Sequence, residues 1–240
     1  MTVFNIIILS TLAGLATMAG VYLVHLNEKF TKKYSVLFIS FAAGTLLGAS
    51  FFELIPESFE LNDASLLLIL FGFITFYLLE NLVVVHICKE TDCKIHRIGT
   101  MAIIGVGFHS LIDGIIISVG FHISFALGIA SAIAVIAHEF PEGIVTYSTL
   151  IHSGYDKTKS LLFSLLVALA TPFGAFITLP FIQYFTQQML GGLLGLAAGS
   201  FLYIASSDLI PETHKKFNKL NALLVVFGII FLFVIEKVFG

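Results

Sequence analysis

Long, mostly apolar runs recur eight times along this chain of 240 residues. A run of about twenty apolar residues is typical of a helix that crosses the roughly 30 Å hydrocarbon core of a bilayer. Lipid offers no hydrogen bonds to the backbone, so only helices and closed barrels span it. The runs are continuous and lack the strict alternation of barrel strands. The sequence therefore predicts an all-α membrane protein with eight transmembrane helices.

The composition leaves no room for a separate soluble domain. Hydrophobic residues make up 58% of the chain and charged residues 11%, whereas an ordinary soluble domain has about 25% charged residues. We therefore expect residues 1–240 to form a single integral membrane domain. The predicted spans cover about residues 4–26, 34–55, 64–87, 98–120, 123–150, 160–185, 189–210 and 219–239.

Basic residues are confined almost entirely to alternate loops. The loops after the first, third, fifth and seventh spans hold every Lys and Arg except Lys237. The positive-inside rule places such loops in the cytoplasm, so both termini are predicted to lie outside. We expect a multi-pass protein of the plasma or inner membrane. The outer loop with Glu57, Glu60 and Asp63 either concentrates cations or is an ordinary solvated loop.

Two segments of the chain repeat each other. Residues 42–57 read AAGTLLGASFFELIPE and residues 197–212 read AAGSFLYIASSDLIPE, with eight of sixteen positions identical. They fall in the second and seventh spans, which cross the membrane in opposite directions. The spans therefore form an inverted repeat, 1–3 and 6–8, around a central pair, in a 3+2+3 arrangement. Such repeats are typical of secondary transporters, whose substrate site lies near the midplane.

The central pair of spans carries two polar motifs, His-Ser-Leu-Ile-Asp-Gly at residues 109–114 and His-Glu-Phe-Pro-Glu-Gly at 138–143. Each motif places a histidine and a carboxylate four residues apart, on one helix face. A charge at the bilayer centre costs about 2.5–3.5 kcal/mol on insertion scales, so its presence indicates a function. Imidazole and carboxylate donors suit a divalent transition metal. The predicted metal ligands are His109, Asp113, His138 and Glu142.

With these motifs, the eight spans and the repeated Leu-Ile-Pro-Glu segments, the chain resembles the ZIP family of divalent-metal transporters, as a prokaryotic-type member. The resemblance implies secondary transport of Zn²⁺, and in some members Fe²⁺, Mn²⁺ or Cd²⁺, into the cytoplasm. It implies an elevator-like movement of spans 1, 4, 5 and 6 against the others, and frequent homodimers. The metal is the substrate, so we expect no prosthetic cofactor and no enzymatic activity. The lipid bilayer is an expected partner and nucleic acid is not.

The chain also departs from the pattern of this family. Many prokaryotic members hold two metal ions with the help of a Glu before Pro-x-Gly-Ala in span 6, and here Thr171 occupies that place. We therefore expect one well-formed site. Ser110, Glu139 and Thr171 are predicted to support the ligands or to form a weak second site.

Two further groups of residues have open roles. The short loop with His86, Cys88, Cys93 and His96 is either a metal acceptor or an ordinary loop, since its spacing is not that of a standard zinc motif. Glu53 and Asp208 occupy matched positions of the repeat and could guard the two openings of a transport path.

The sequence leaves other functions open. An intramembrane zinc hydrolase could use His, Asp and Ser110, although the protease motif His-Glu-x-x-His fails because its fifth residue is Glu142. An exporter of the same ions, or a metal sensor without flux, would carry the same ligands. The inverted repeat favours transport, because an enzyme has no need of access from both sides.

Overall fold

The computed structural model describes the backbone of residues 2–87, 93–215 and 218–239, with side chains throughout these ranges except at residues 28, 32, 83–97 and 239. The described residues contain eight helices long and apolar enough to cross a membrane, which confirms the predicted all-α fold. The helices are α1 Thr2–His25, α2 Ser35–Leu61, α3 Ser65–Ile87, α4 Cys93–Ile123, α5 Phe125–His152, α6 Lys157–Tyr184, α7 Gln187–His214 and α8 Lys219–Phe239. The predicted metal acceptor His86, Cys88, Cys93 and His96 lies outside the described side chains.

Polar side chains in the short connections set where several helices begin. The hydroxyl of Ser124, the one residue between α4 and α5, accepts a hydrogen bond from the Leu127 N–H at 3.1 Å. The Asp156 carboxylate accepts from the Lys159 N–H at 2.9 Å at the start of α6, and this bond lowers the pKa of Asp156. Such caps satisfy amide groups that have no partner within the helix. The one-residue connection makes α4 and α5 antiparallel neighbours.

The two ends of the helix bundle differ in charge. At one end Ser58 donates to the carbonyl of Gly191 at 2.7 Å, and Asn62 donates to that of Gln188 at 2.7 Å. We call this end the acidic side, because Glu57, Glu60 and Asp63 belong to it. At the other end His152 lies 3.0 Å from the Ser35 hydroxyl and 3.1 Å from a Glu212 carboxylate oxygen. We call it the basic side, after Lys33, Lys157 and Lys215.

The two repeated sequence segments fold alike. In α2 a π-helical turn, Ser50–Leu54, interrupts the α-helix, and in α7 the π-helical turn is Ile204–Leu209. Each turn precedes a short α-helix whose first residues include a proline, Pro56 or Pro211. A proline lacks the N–H that an α-helical hydrogen bond requires, and π-helical turns are rare interruptions that occur frequently at functional sites. The repeat therefore places a matched irregularity in the second and seventh membrane helices.

Glycines let α1, α4, α5 and α6 approach one another to within backbone contact. A Cβ atom on Gly143 of α5 would lie 1.9 Å from the carbonyl oxygen of Thr17 in α1. One on Gly114 of α4 would lie 2.0 Å from the carbonyl oxygen of Thr171 in α6. Such close approach is the usual role of small residues in membrane helices. We call these four helices the site bundle.

The same packing joins α2 to α8 and α3 to α7. A Cβ on Gly44 would lie 2.1 Å from the Val225 carbonyl oxygen, and one on Gly72 would lie 2.3 Å from that of Leu196. We call α2, α3, α7 and α8 the flanking bundle. Among the described glycines, only Gly105 would place an added Cβ this close to the other bundle. That Cβ would lie 2.2 Å from the end of the Ile204 side chain and not from a backbone atom. Close backbone contact therefore stays within each bundle.

We expect Gly199→Ala to destabilise the protein, because its Cβ would lie 2.0 Å from the carbonyl oxygen of Ile69. Backbone atoms cannot give way cheaply, so the expected loss is about 1–3 kcal/mol, measured by thermal unfolding in detergent. Gly107→Ala is the matched control, since its nearest contact is the Val167 side chain at 3.8 Å. The control should be neutral or mildly stabilising. Equal melting temperatures for the two variants would contradict this account of the packing.

Candidate metal centre

The antiparallel α4–α5 hairpin brings the four predicted ligands together. His109 and Asp113 lie one turn apart on α4, and His138 and Glu142 lie one turn apart on α5. One donor atom from each of the four side chains lies within 4.8 Å of the other three. All four side chains are buried or nearly so. The cluster sits at mid-helix, away from both ends of the bundle.

The distances within the cluster suit a single small cation. Asp113 Oδ2 lies 3.3 Å from His109 Nε2 and 3.2 Å from His138 Nε2. His109 Nε2 lies 3.9 Å from Glu142 Oε2. Donors about 2.0–2.2 Å from a tetrahedral zinc ion are about 3.4 Å from one another. Two ionised carboxylates would also neutralise a divalent cation, which favours its binding in a low-dielectric interior.

Ser110 supports one of the ligands. Its hydroxyl donates a hydrogen bond of 2.9 Å to Glu142 Oε1, while Oε2 of the same carboxylate is the oxygen nearer His109. The bond holds the Glu142 carboxylate with one oxygen turned toward the cluster. Ser110 therefore contacts a predicted ligand, and its role as a support or as part of a weak second site stays a prediction.

Glu139 is not one of the four clustered residues. Both of its carboxylate oxygens accept hydrogen bonds, one from the Thr17 hydroxyl and the other from the Thr171 hydroxyl. The carboxylate is fully buried between α1, α5 and α6. Glu139 and Thr171 were predicted to support the ligands or to form a second site, and the structure brings them to each other. Thr17 was not predicted, because no motif in α1 sets it apart.

Glu53 approaches the cluster from the flanking bundle. Its carboxylate lies 3.5 Å from Nδ1 of His138, on the ring edge opposite the nitrogen that faces Asp113. Sequence reasoning assigned Glu53 to an opening and missed this contact. Glu53 also lines a cavity of about 300 Å³ on the acidic side, together with Glu57, Glu60 and Glu236. The site thus borders an acidic cavity.

The opposite face of the site is closely packed. The ring of Phe201, in α7, lies 4.5 Å from the His109 ring, and a space of only about 30 Å³ remains beside the two histidines. At the basic end, Glu212 contacts both His152 and Lys215. Access to the site is therefore wider from the acidic side than from the basic side.

The fold and this site are those of a multi-pass membrane protein with a buried His and carboxylate cluster. The family model described as ZIP zinc transporter matches residues 85–236, which is more than half of the chain. The chain therefore belongs to the ZIP family of zinc transporters. The matched region includes α4 and α5 with all four residues of the cluster.

Several animal proteins are similar to part of the chain. Zinc transporter ZIP10 of Danio rerio is 30% identical over 146 residues, which are 58% of this chain and 17% of that protein. Zinc transporter foi of Drosophila melanogaster is 30% identical over 141 residues, 59% of this chain and 19% of that protein. Metal cation symporter ZIP14 of Xenopus tropicalis is 31% identical over 121 residues, 49% of this chain. The matched regions span between 17% and 26% of these relatives' own lengths.

We expect Thr17→Val to destabilise the protein, because it leaves one oxygen of the buried Glu139 carboxylate without its donor. An unsatisfied buried acceptor costs about 1–3 kcal/mol, and thermal unfolding in detergent would measure the loss. Thr17→Ser keeps the hydroxyl and should restore most of the stability. Thr11→Val is the matched control in the same helix, since Thr11 is exposed and donates only to the Ile7 carbonyl. A loss as large for Thr11→Val would contradict the assigned role of Thr17.

Proposed function

We propose that this protein carries divalent transition-metal ions, Zn²⁺ above all, across a membrane through the His109, Asp113, His138 and Glu142 site. One observation carries the proposal: two imidazoles and two carboxylates converge within 4.8 Å in the middle of two antiparallel membrane helices. Carboxylate and imidazole donors bind less selectively than thiolates, which suits a site that must release its ion. Fe²⁺, Mn²⁺ and Cd²⁺ are further candidate substrates for the same donors.

The division into two bundles supports transport by an elevator-like movement. The four ligands belong to the site bundle, whereas Glu53, Leu46 and Phe201 of the flanking bundle line the space around them. Glycine packing locks backbones together inside each bundle and not across the boundary. The site bundle can therefore slide as a body along α2 and α7, carrying the ion from one side to the other.

The charge pattern supports a direction of transport. With the basic loops in the cytoplasm, the acidic cavity beside Glu53 faces outward and both termini lie outside. An ion would enter through this cavity and leave toward His152 and Glu212. We propose uptake into the cytoplasm across the plasma or inner membrane. That residues 1–240 form a single domain stays a prediction. The homodimer is also a prediction, and light scattering on the solubilised protein would test it.

Reconstituted protein should move Zn²⁺ into liposomes that contain a zinc-sensitive dye, and His109→Ala or Glu142→Ala should abolish this uptake. Changing a residue that only supports a metal ligand typically lowers metal affinity or activity by roughly 10- to 100-fold. Each of these variants removes a ligand itself, so the loss of uptake should be at least as large. His122→Ala is the matched control, because His122 is an exposed histidine of the same helix. Uptake equal in wild type and both ligand variants, for all four metals, would refute the proposal.

The same preparation tests the remaining alternatives. Release of fatty acid from an added lipid amide would favour a zinc hydrolase that uses the cluster with Ser110. Flux that proceeds only from the basic to the acidic side, in vesicles of known orientation, would favour an exporter. Metal binding without any flux would favour a sensor.

We expect the purified protein to bind one tight equivalent of Zn²⁺. A second ion beside the first would need Glu139, whose two oxygens both accept hydrogen bonds from threonine hydroxyls. Thr171 supplies no carboxylate to replace it. Equilibrium dialysis would measure the stoichiometry, and Thr171→Glu should raise it toward two. Two tight equivalents in the unchanged protein would contradict the single-site account.

A further inference from the structure

The contact between Glu53 and His138 crosses the boundary between the two bundles. Glu53 belongs to α2 of the flanking bundle, and His138 belongs to α5 of the site bundle. The carboxylate lies 3.5 Å from His138 Nδ1, and the two side chains are 15% and 6% exposed. If the site bundle slides, this contact must break. It therefore belongs to one conformation of the protein.

The internal repeat gives Glu53 a counterpart in α7. In the two repeated segments Glu53 aligns with Asp208, and Leu46 aligns with Phe201. Glu53 lies in the π-helical turn of α2 and Asp208 in that of α7. Leu46 and Phe201 both line the small space beside the site histidines. The two segments thus present equivalent surfaces to the site from opposite directions.

The central hairpin obeys the same relation. His109 on α4 corresponds to His138 on α5, as the two motifs place them at equivalent positions. The glycines of the motifs also correspond: Gly114 packs on the Thr171 carbonyl and Gly143 packs on the Thr17 carbonyl, at almost equal distances of 2.0 and 1.9 Å for an added Cβ. The counterpart of the Glu53–His138 contact is therefore a contact between Asp208 and His109.

His109 lacks a partner at the nitrogen that this contact would use. Its Nδ1 atom is buried without a hydrogen bond, in a residue that is 1% exposed. The equivalent atom of His138 faces Glu53. Metal-ligating histidines almost always donate their second ring N–H to a carboxylate, carbonyl or water, which orients the ring. In this conformation His138 therefore has a carboxylate beside its Nδ1 atom, whereas the Nδ1 atom of His109 has no hydrogen-bond partner.

We propose that the two histidines exchange carboxylate partners during transport. Glu53 holds His138 when the site is open to the acidic side, and Asp208 holds His109 when it is open to the basic side. This inference rests on the proposed alternating access of the site. Both carboxylates are positioning residues: they orient imidazoles that bind the ion through their other nitrogen.

The geometry sets the size of the movement. His109 now stacks on Phe201, and Asp208 lies seven residues further along α7, about 10 Å toward the basic side. A slide of that order would bring His109 to Asp208 and separate His138 from Glu53. Asp208 is buried and already has an interaction in the present conformation. The exchange therefore changes the partners of both carboxylates.

The two carboxylates should bias the conformations in opposite directions. A reporter cysteine at Ala130, which lines the acidic cavity, reacts with a membrane-impermeant maleimide when that side is open. Cys88 and Cys93 are first replaced by serine. Glu53→Gln should slow labelling, and Asp208→Asn should speed it, each by about tenfold, because each removes the charged partner of a buried imidazole in one conformation. The double variant should return toward the original rate.

Matched variants separate this effect from simple damage. Glu60→Gln removes a carboxylate of the same cavity, and it should leave the labelling rate unchanged. Asp208→Glu and Glu53→Asp keep the carboxylates and should restore much of the original rate. Shifts of Glu53→Gln and Asp208→Asn in the same direction, or no shift in either, would overturn the inference.

Zn²⁺ uptake by the same proteoliposomes distinguishes a failure of the proposed transport from a failure of the partner exchange. If the protein without these substitutions moves no metal, the proposed function fails whatever the labelling shows. If it moves metal while the two variants do not shift labelling in opposite directions, only the partner exchange fails.

Discussion

The structure depends on the cost of holding carboxylates in the middle of a membrane. Asp113, Glu139 and Glu142 lie at mid-helix, where an isolated charge is strongly unfavourable. Each of the three carboxylates has polar partners, and these partners differ from one carboxylate to the next. Asp113 faces two imidazoles, Glu142 accepts from a serine of the neighbouring helix, and Glu139 accepts from threonines of two other helices. The packing of α1, α4, α5 and α6 can be understood as the arrangement that brings these partners within reach.

Glycines make that reach possible. A hydroxyl on a short threonine side chain reaches Glu139 only if the helices nearly touch, and Gly143 allows α1 to do so. Among the described glycines, these close backbone contacts join helices within each bundle and not across the boundary between the bundles. The four clustered residues belong to the site bundle, whereas Glu53 and Phe201 of the flanking bundle lie beside them. One pattern of small residues thus joins the helices of each bundle.

Much of this architecture could be predicted from local patterns. Hydrophobic length and basic loops predicted eight spans, and the i, i+4 spacing of His109 with Asp113 predicted that both share one face. The one-residue connection at Ser124 then placed the two motifs side by side. The roles of Thr17 and Glu53 could not be predicted in the same way. Thr17 and Thr11 are both threonines of one apolar helix, yet Thr11 donates to its own backbone and Thr17 donates to Glu139.

The sequence by itself determined the number of membrane helices, the four ligand candidates and the inverted repeat, because these depend on spacing along the chain. Only the tertiary structure decided which side chains meet across helices. Such contacts depend on the rotation of each helix about its axis, which a continuously apolar helix encodes weakly, and on the π-helical turns that re-aim Glu53 and Asp208. The two motifs alone make His109 and His138 equivalent. Only the tertiary structure places a carboxylate beside Nδ1 of His138 and none beside Nδ1 of His109.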